Sequence, residues 1–168
     1  MPKAQAAPTG IEAIVADSTA KAEQFVTRYY TAQDAAPLER PNEIHALYAP
    51  TPRVTWNGNP IPYTDLAQFV QQMPVSHHDV QAFDCHPISG SANGGPASLV
   101  VTVTGQVSHG PNPTPSAGSI TSKNFDNLPR VFSQSFILVY TGDATASGAA
   151  AASGVGGYQI AADSFRFC

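Results

Sequence analysis

Two stretches near the C-terminal end decide how this chain is read: Val131-Phe-Ser-Gln-Ser-Phe-Ile-Leu-Val-Tyr140 and Tyr158-Gln-Ile-Ala-Ala-Asp-Ser-Phe-Arg-Phe-Cys168. Both are dense in aromatic and β-branched residues, which fit a pleated, packed surface, so both are expected to be strands. Alternation in the first puts Phe132, Phe136, Leu138 and Tyr140 on one face and Val131, Ile137 and Val139 on the other. A strand with one wet face alternates apolar with polar residues. Here both faces are largely apolar, so both need a cover. The chain's own helices supply one, and a second chain is expected to supply the other. A bulge near Ala161–Asp163 would exchange the faces of the residues beyond it.

Composition agrees with a chain that hides part of its surface. At 168 residues it is expected to form one domain over 9–168, behind a Pro/Ala-rich lead, 1–8, expected to be disordered. Only 12% of residues are charged, against roughly 25% in ordinary domains. Net charge is −4, and no Lys or Arg falls between Arg53 and Lys123. That balance argues against an electrostatic grip on nucleic-acid phosphates by this chain alone. Cys85 and Cys168 have neither metal spacing nor a disulfide framework, and read as reduced thiols. The opening MPKAQAAPTG lacks an apolar signal core, and no apolar run approaches the ~20 residues of a membrane span. The expectation is a soluble intracellular protein without membrane insertion.

Upstream, Thr9 and Glu12 fit a capping box. The helix after it is expected to run to about Gln33, with Ile11, Ile14, Val15, Ala22, Phe25, Val26 and Tyr29 on one stripe. A short helix is expected over about Pro41–Tyr48, stopped by Pro50 and Pro52. Asn57-Gly58 lies between two β-prone runs and predicts a type I′ hairpin, because that turn needs positive φ at both central residues. Thr64 is expected to cap a third helix that buries Leu66, Phe69, Val70 and Met73 and ends at Pro74. Strands are expected over His77–Ile88 and Ser98–Ser108. Two long loops follow, a Pro-rich one at 109–130 and an Ala/Gly-rich one at 142–157. The order is α-α-β-β-α-β-β-β-β. It predicts an α+β domain whose N-terminal helices pack on one face of a strongly bent antiparallel sheet.

Catalytic signals are weak. His77-His78 would point to opposite faces of a strand and so cannot jointly hold an ion. His86 and His109 lack partners at zinc spacing, and no phosphate loop or nucleophile elbow is present. No catalytic residue, metal or cofactor is therefore expected. The one enzymatic alternative is a conical pocket in which Asp84 works with Tyr30, Tyr48 or Tyr63, as in a small isomerase or dehydratase. Arg166 is the notable charge, since it stands between Phe165 and Phe167 in a strand region with almost no other charge. Arg among aromatics is the composition of an interface hot spot.

Four segments carry a resemblance: Trp56-Asn-Gly-Asn59, Phe83-Asp-Cys-His-Pro87, Phe132-Ser-Gln-Ser-Phe-Ile-Leu138 and Ile160-Ala-Ala-Asp-Ser-Phe-Arg-Phe167. In this order and spacing they resemble the nuclear transport factor 2-like superfamily, over roughly Ala22–Phe167. Within it they look most like the small subunit of the heterodimeric bulk mRNA export receptor, in a fungal version with longer loops. The resemblance implies a cone-shaped fold and a non-catalytic role. The open sheet face would pair with a similar domain of a large export receptor, and the heterodimer would bind Phe-Gly nucleoporins. It implies shuttling between nucleus, nuclear pore and cytoplasm, and leaves open RNA or ribonucleoprotein contact through the heterodimer. Carried over, the partner interface would comprise Phe132, Phe136, Leu138, Tyr140, Phe165, Arg166 and Phe167, with Arg166 meeting a partner carboxylate. The other carrier of this fold imports Ran in its GDP form. It has an acid where this chain has Asn57, and an acidic cluster where the loop 109–130 has only Asp126.

Overall fold

The structure is a computed structural model and describes residues 10–88, 95–110, 128–142 and 154–168. The lead 1–8, Thr9 and most of the two long loops lie outside these residues. Helix α1 spans Ile11–Gln33 and α2 spans Arg40–His45. A hairpin follows, β1 Tyr48–Trp56 and β2 Asn59–Ile61, and then α3, Tyr63–Gln72. Four long strands complete the chain: β3 Ser76–Ile88, β4 Ser98–His109, β5 Arg130–Tyr140 and β6 Tyr158–Phe167. This is the expected α+β order.

The strands form one sheet in the order β2-β1-β6-β5-β4-β3. Every neighbouring pair is antiparallel except β1 and β6, which run parallel. Parallel neighbours need a long crossover, and here α3 and β3–β5 together provide it. Asn57 and Gly58 have φ of 50° and 81°, so the β1–β2 turn has the positive φ values that the Asn-Gly pair predicts. Register shifts bend the sheet at three places: within β1 after Tyr48, in β3 between Val80 and Ala82, and between β5 and β6 at Ile137/Leu138.

The last shift matters most. Ile137 pairs with Ala162 and Leu138 with Ile160, so Ala161 is the extra residue. The bulge lets Ile160 share the inner face with Asp163 and Phe165, while Ala162, Ser164 and Arg166 turn outward. On that inner face Leu99, Val101, Val103, Phe132, Phe136, Leu138 and Ile160 are fully buried. They meet Ala22, Phe25, Val26 and Tyr29 of α1, with Ile44, Leu66 and Val70 closing the core from α2 and α3. Each such aliphatic side chain contributes about 1.5–3 kcal/mol.

Four local expectations change. Helix α2 ends at His45, before Tyr48, and Pro50 and Pro52 lie within β1 instead of stopping the helix. Gly10, not Thr9, is the N-cap of α1, and no side chain caps it. Ile11, Ile14 and Val15, expected on the packed stripe, are exposed, so the buried part of α1 begins at Ser18. Pro62, not Thr64, precedes the first turn of α3. Among the described residues no helix is long and apolar enough to cross a membrane.

Candidate functional site

The helices lie on one side of the sheet, and among the described residues none covers the other side of its centre. Register defines that face. Thr102, Ser135 and Ser164 stand in one row across β4, β5 and β6, continued by Thr55 of β1. Thr104, Ser133 and Arg166 form the next row, and Val100, Ile137, Ala162 and Arg53 the one beyond. The side chains are mostly small or hydroxyl-bearing, with Thr55 Oγ1 donating to Ser164 Oγ at 3.1 Å. Val131 is 49% exposed and Ile137 38%, and Arg166 is exposed directly opposite Ser133. β-branched residues turned to solvent beside the guanidinium of Arg166 make a surface suited to another protein rather than to water.

The expected interface residues divide between the two sides. Phe132, Phe136 and Leu138 have no exposed surface, and Phe165 is 2% exposed. These four are corrected to core: the helices already cover the face they share, so their rings cannot touch a partner. Phe165 lies flat on Trp56, with centroids 3.9 Å apart and 6° between the planes. Tyr140 is half-buried at the far end, edge-on to Tyr158. Phe167 is half-buried beneath the guanidinium of Arg130. Of the seven, only Arg166 projects from the outer face. The residues beside it there are Ser133, Ser135, Ile137, Ala162 and Ser164.

The hairpin fixes Arg166 in place. Asn57 N–H donates to the Phe165 carbonyl at 2.8 Å, and Asn57 Oδ1 accepts from Phe167 N–H at 2.9 Å. The turn therefore grips the backbone on both sides of Arg166.

The interior holds an acid that periodicity alone would have turned outward. Asp163 is 5% exposed and accepts from Tyr48 Oη at 2.5 Å, Tyr29 Oη at 3.2 Å and Gln134 Nε2 at 2.7 Å. Tyr30 Oη donates to Gln134 Oε1, and Gln33 Nε2 to Tyr29 Oη, both at 2.8 Å. Burial raises the Asp163 carboxyl from 3.8 to about 6, against the lowering effect of its three donors. Burial, and then the charge of Asp163, raises both Tyr29 and Tyr48. The network is satisfied and closed, which suits a core device better than a reacting centre.

Asp84, the acid of the enzymatic alternative, is exposed on the outer side of edge strand β3. It stands outside the cone and away from Tyr30 and Tyr48, which removes the geometry that alternative needs. The bulge at Gln81 sets its direction. His77 and His78 do point apart, with His77 exposed and His78 turned inward. Asp34, just past α1, accepts from His78 N–H at 2.8 Å, His78 Nδ1 at 2.6 Å and Ser76 Oγ at 2.8 Å. Burial raises the Asp34 carboxyl, but its bonds to His78 outweigh this and leave it below the usual range.

Comparisons with known proteins fit this geometry. A family model for the nuclear pore RNA shuttling protein Mtr2 matches residues 16–121. The bovine NTF2-related export protein 1 is 29% identical over 147 residues, covering 87% of this chain and 85% of the relative. A chain of the solved complex of the Chaetomium thermophilum Mex67 NTF2-like domain with Mtr2 superposes with a TM-score of 0.63 at 18% identity, covering 90% of this chain and 98% of that one. A candidate scytalone dehydratase from Novosphingobium aromaticivorans shares the fold, with a TM-score of 0.59 at 10% identity over 92% of this chain and 87% of that one.

Proposed function

The chain belongs to the Mtr2 family of nuclear pore RNA shuttling proteins, and from that premise we propose that it is the non-catalytic small subunit of a heterodimeric mRNA export receptor. Its outer sheet face docks on the NTF2-like domain of the large subunit. The observation that carries this reading is the uncovered face itself, where Ile137 and Val131 stand exposed around the row of Ser133 and Arg166. A solved relative in this family is described as Mtr2 complexed with a Mex67 NTF2-like domain, which supports the same choice of partner.

In this reading the heterodimer moves mRNA through nuclear pores by binding Phe-Gly nucleoporins, and it shuttles between nucleus and cytoplasm. Direct RNA contact belongs to the assembled receptor. Arg166 meets a carboxylate of the large subunit across the two sheets. Tyr140 and Phe167 sit at the two ends of the β5–β6 pair, where each lies at the rim rather than the centre of the interface. Ran-GDP carriage gains no support: Asn57, where that carrier has an acid, spends its side chain on the Phe167 backbone.

Co-expression with the NTF2-like domain of a large export subunit tests the proposal. The chain alone should self-associate, and the partner domain should convert it into a one-to-one complex. A monodisperse monomer that ignores the partner domain would overturn it.

A further inference from the structure

A cavity of about 490 Å³ opens between α3 and the end of the sheet. It is distinct from the outer face. Trp56, Phe69, Met73, His109, Arg130 and Phe167 line it, and its lining contains no carboxylate. The rings stand edge-to-face: Trp56 is 5.5 Å from Phe69 and 5.9 Å from Phe167, and the His109 ring is 6.2 Å from Phe167. The Arg130 guanidinium sits 5.4 Å over Phe167.

Positive charge gathers here in a chain whose net charge is −4. Arg130 makes no ion pair among the described residues. Behind the wall the fully buried Arg40 donates to the carbonyls of Met73 at 3.1 Å and Pro74 at 3.2 Å, again without a carboxylate partner. Among the described residues, the two buried side-chain nitrogens with no hydrogen-bond partner are Arg40 Nε and His109 Nε2. Both belong to this corner. Burial lowers the His109 pKa, and His78, Arg130 and Arg40 lower it further, against the opposing effect of the Asp34 carboxylate. His109 Nε2 is therefore a polar atom at the cavity wall that no group of the described residues satisfies.

We propose that this cavity binds an aromatic carboxylate. The ring lies among Trp56, Phe69 and Phe167, where aromatic faces and edges complement one another. The carboxylate pairs with Arg130, whose fork suits it, and offers an oxygen to His109 Nε2. The same chemistry is carried by a free small aromatic acid and by an aromatic residue at the C-terminus of a peptide.

Trp56 is the only tryptophan of the chain, so its fluorescence reports occupancy directly. The full chain is titrated with phenylacetate, with its neutral analogue phenylacetamide, and with a short peptide ending in Phe as free acid or amide. The expected result is a saturable change in Trp56 emission with an acid, at least tenfold weaker with the matching amide. Binding of phenylacetate identifies a free acid as sufficient, and binding of the peptide acid alone identifies a peptide end as the source. Arg130→Gln, an exposed position, should lose at least tenfold in acid affinity with an unchanged melting temperature. No saturable response to either acid, equal affinity for acid and amide, or undiminished binding by Arg130→Gln would overturn the assignment.

Discussion

Phe136 packs edge-on against Phe25, with ring centroids 5.0 Å apart and the planes at 78°. This contact joins β5 to α1 and decides which face of the sheet is interior. Because side chains alternate along a strand, Ile137 must then point away from every helix, to the side where it is 38% exposed. Core and outer face are thus one residue apart.

Adjacent substitutions should separate the two faces. Phe136→Ala removes a fully buried ring and should cost about 3–5 kcal/mol of stability. Ile137→Glu should change the chain's own stability by about 0.5–1 kcal/mol or less, yet weaken pairing with the large subunit at least tenfold. Urea unfolding of each variant, beside a binding isotherm for Ile137→Glu, checks both. A strongly destabilised Ile137→Glu would mean that β5 is facing the other way.

Asp163 makes stability depend on pH in an unusual direction for a carboxylate. Its folded value, about 6, lies above its ordinary 3.8, so the folded state holds the proton more tightly than the unfolded one. The stabilisation is complete below about 3.8 and is lost as pH rises to about 6 and beyond. Its limit is about 3 kcal/mol. Asp34 acts oppositely, through a lowered value, and loses its contribution only as pH falls toward the acid range. Asp163→Asn should therefore flatten the stability profile between pH 4.5 and 7 while keeping the fold. Asp163→Ala should cost about 2–4 kcal/mol at pH 5, since three buried donors lose their acceptor. Denaturant midpoints across that pH range give the answer.

Asn57 performs two tasks that different substitutions can divide. Gly keeps the positive φ but drops the bond to Phe167 N–H, for a loss of about 1 kcal/mol. Val loses the bond and strains the turn, for a loss of about 2–3 kcal/mol. Thermal unfolding should rank the parent chain above Asn57→Gly, and Asn57→Gly above Asn57→Val. Equal values for the two variants would remove the conformational part of the explanation.

Much of this architecture was legible in the residues. Leu99, Val101, Val103 and Val107 at period two gave β4 its buried face, Asn57-Gly58 gave the hairpin, and Ala22, Phe25, Val26 and Tyr29 gave the packed stripe of α1. The division of the interface was harder to read. Ala161 is chemically ordinary, and no local signal distinguishes one extra residue from continued alternation. Its bulge nonetheless decides that Asp163 and Phe165 face inward while Arg166 faces out. Phenylalanines around an arginine looked like an interface because aromatic residues suit cores and interfaces equally. Arg40 was missed for a related reason. Its guanidinium is fully buried on the carbonyls of Ala35, Val70, Met73 and Pro74, which are scattered in sequence and meet only in the folded chain. Tyr29, Gln134 and Asp163 come from three separate elements in the same way.

The most direct test of the account is the affinity of the full chain for the NTF2-like domain of a large export subunit, measured by calorimetry for the parent chain and for Arg166→Asp. Arg166 is exposed and has no carboxylate partner among the described residues, so the substitution should leave the chain's own fold intact. The account predicts a one-to-one complex that Arg166→Asp weakens by at least a hundredfold, or about 3 kcal/mol, as for other interfacial charge pairs. An unchanged affinity, or no complex with the parent chain at all, would contradict it.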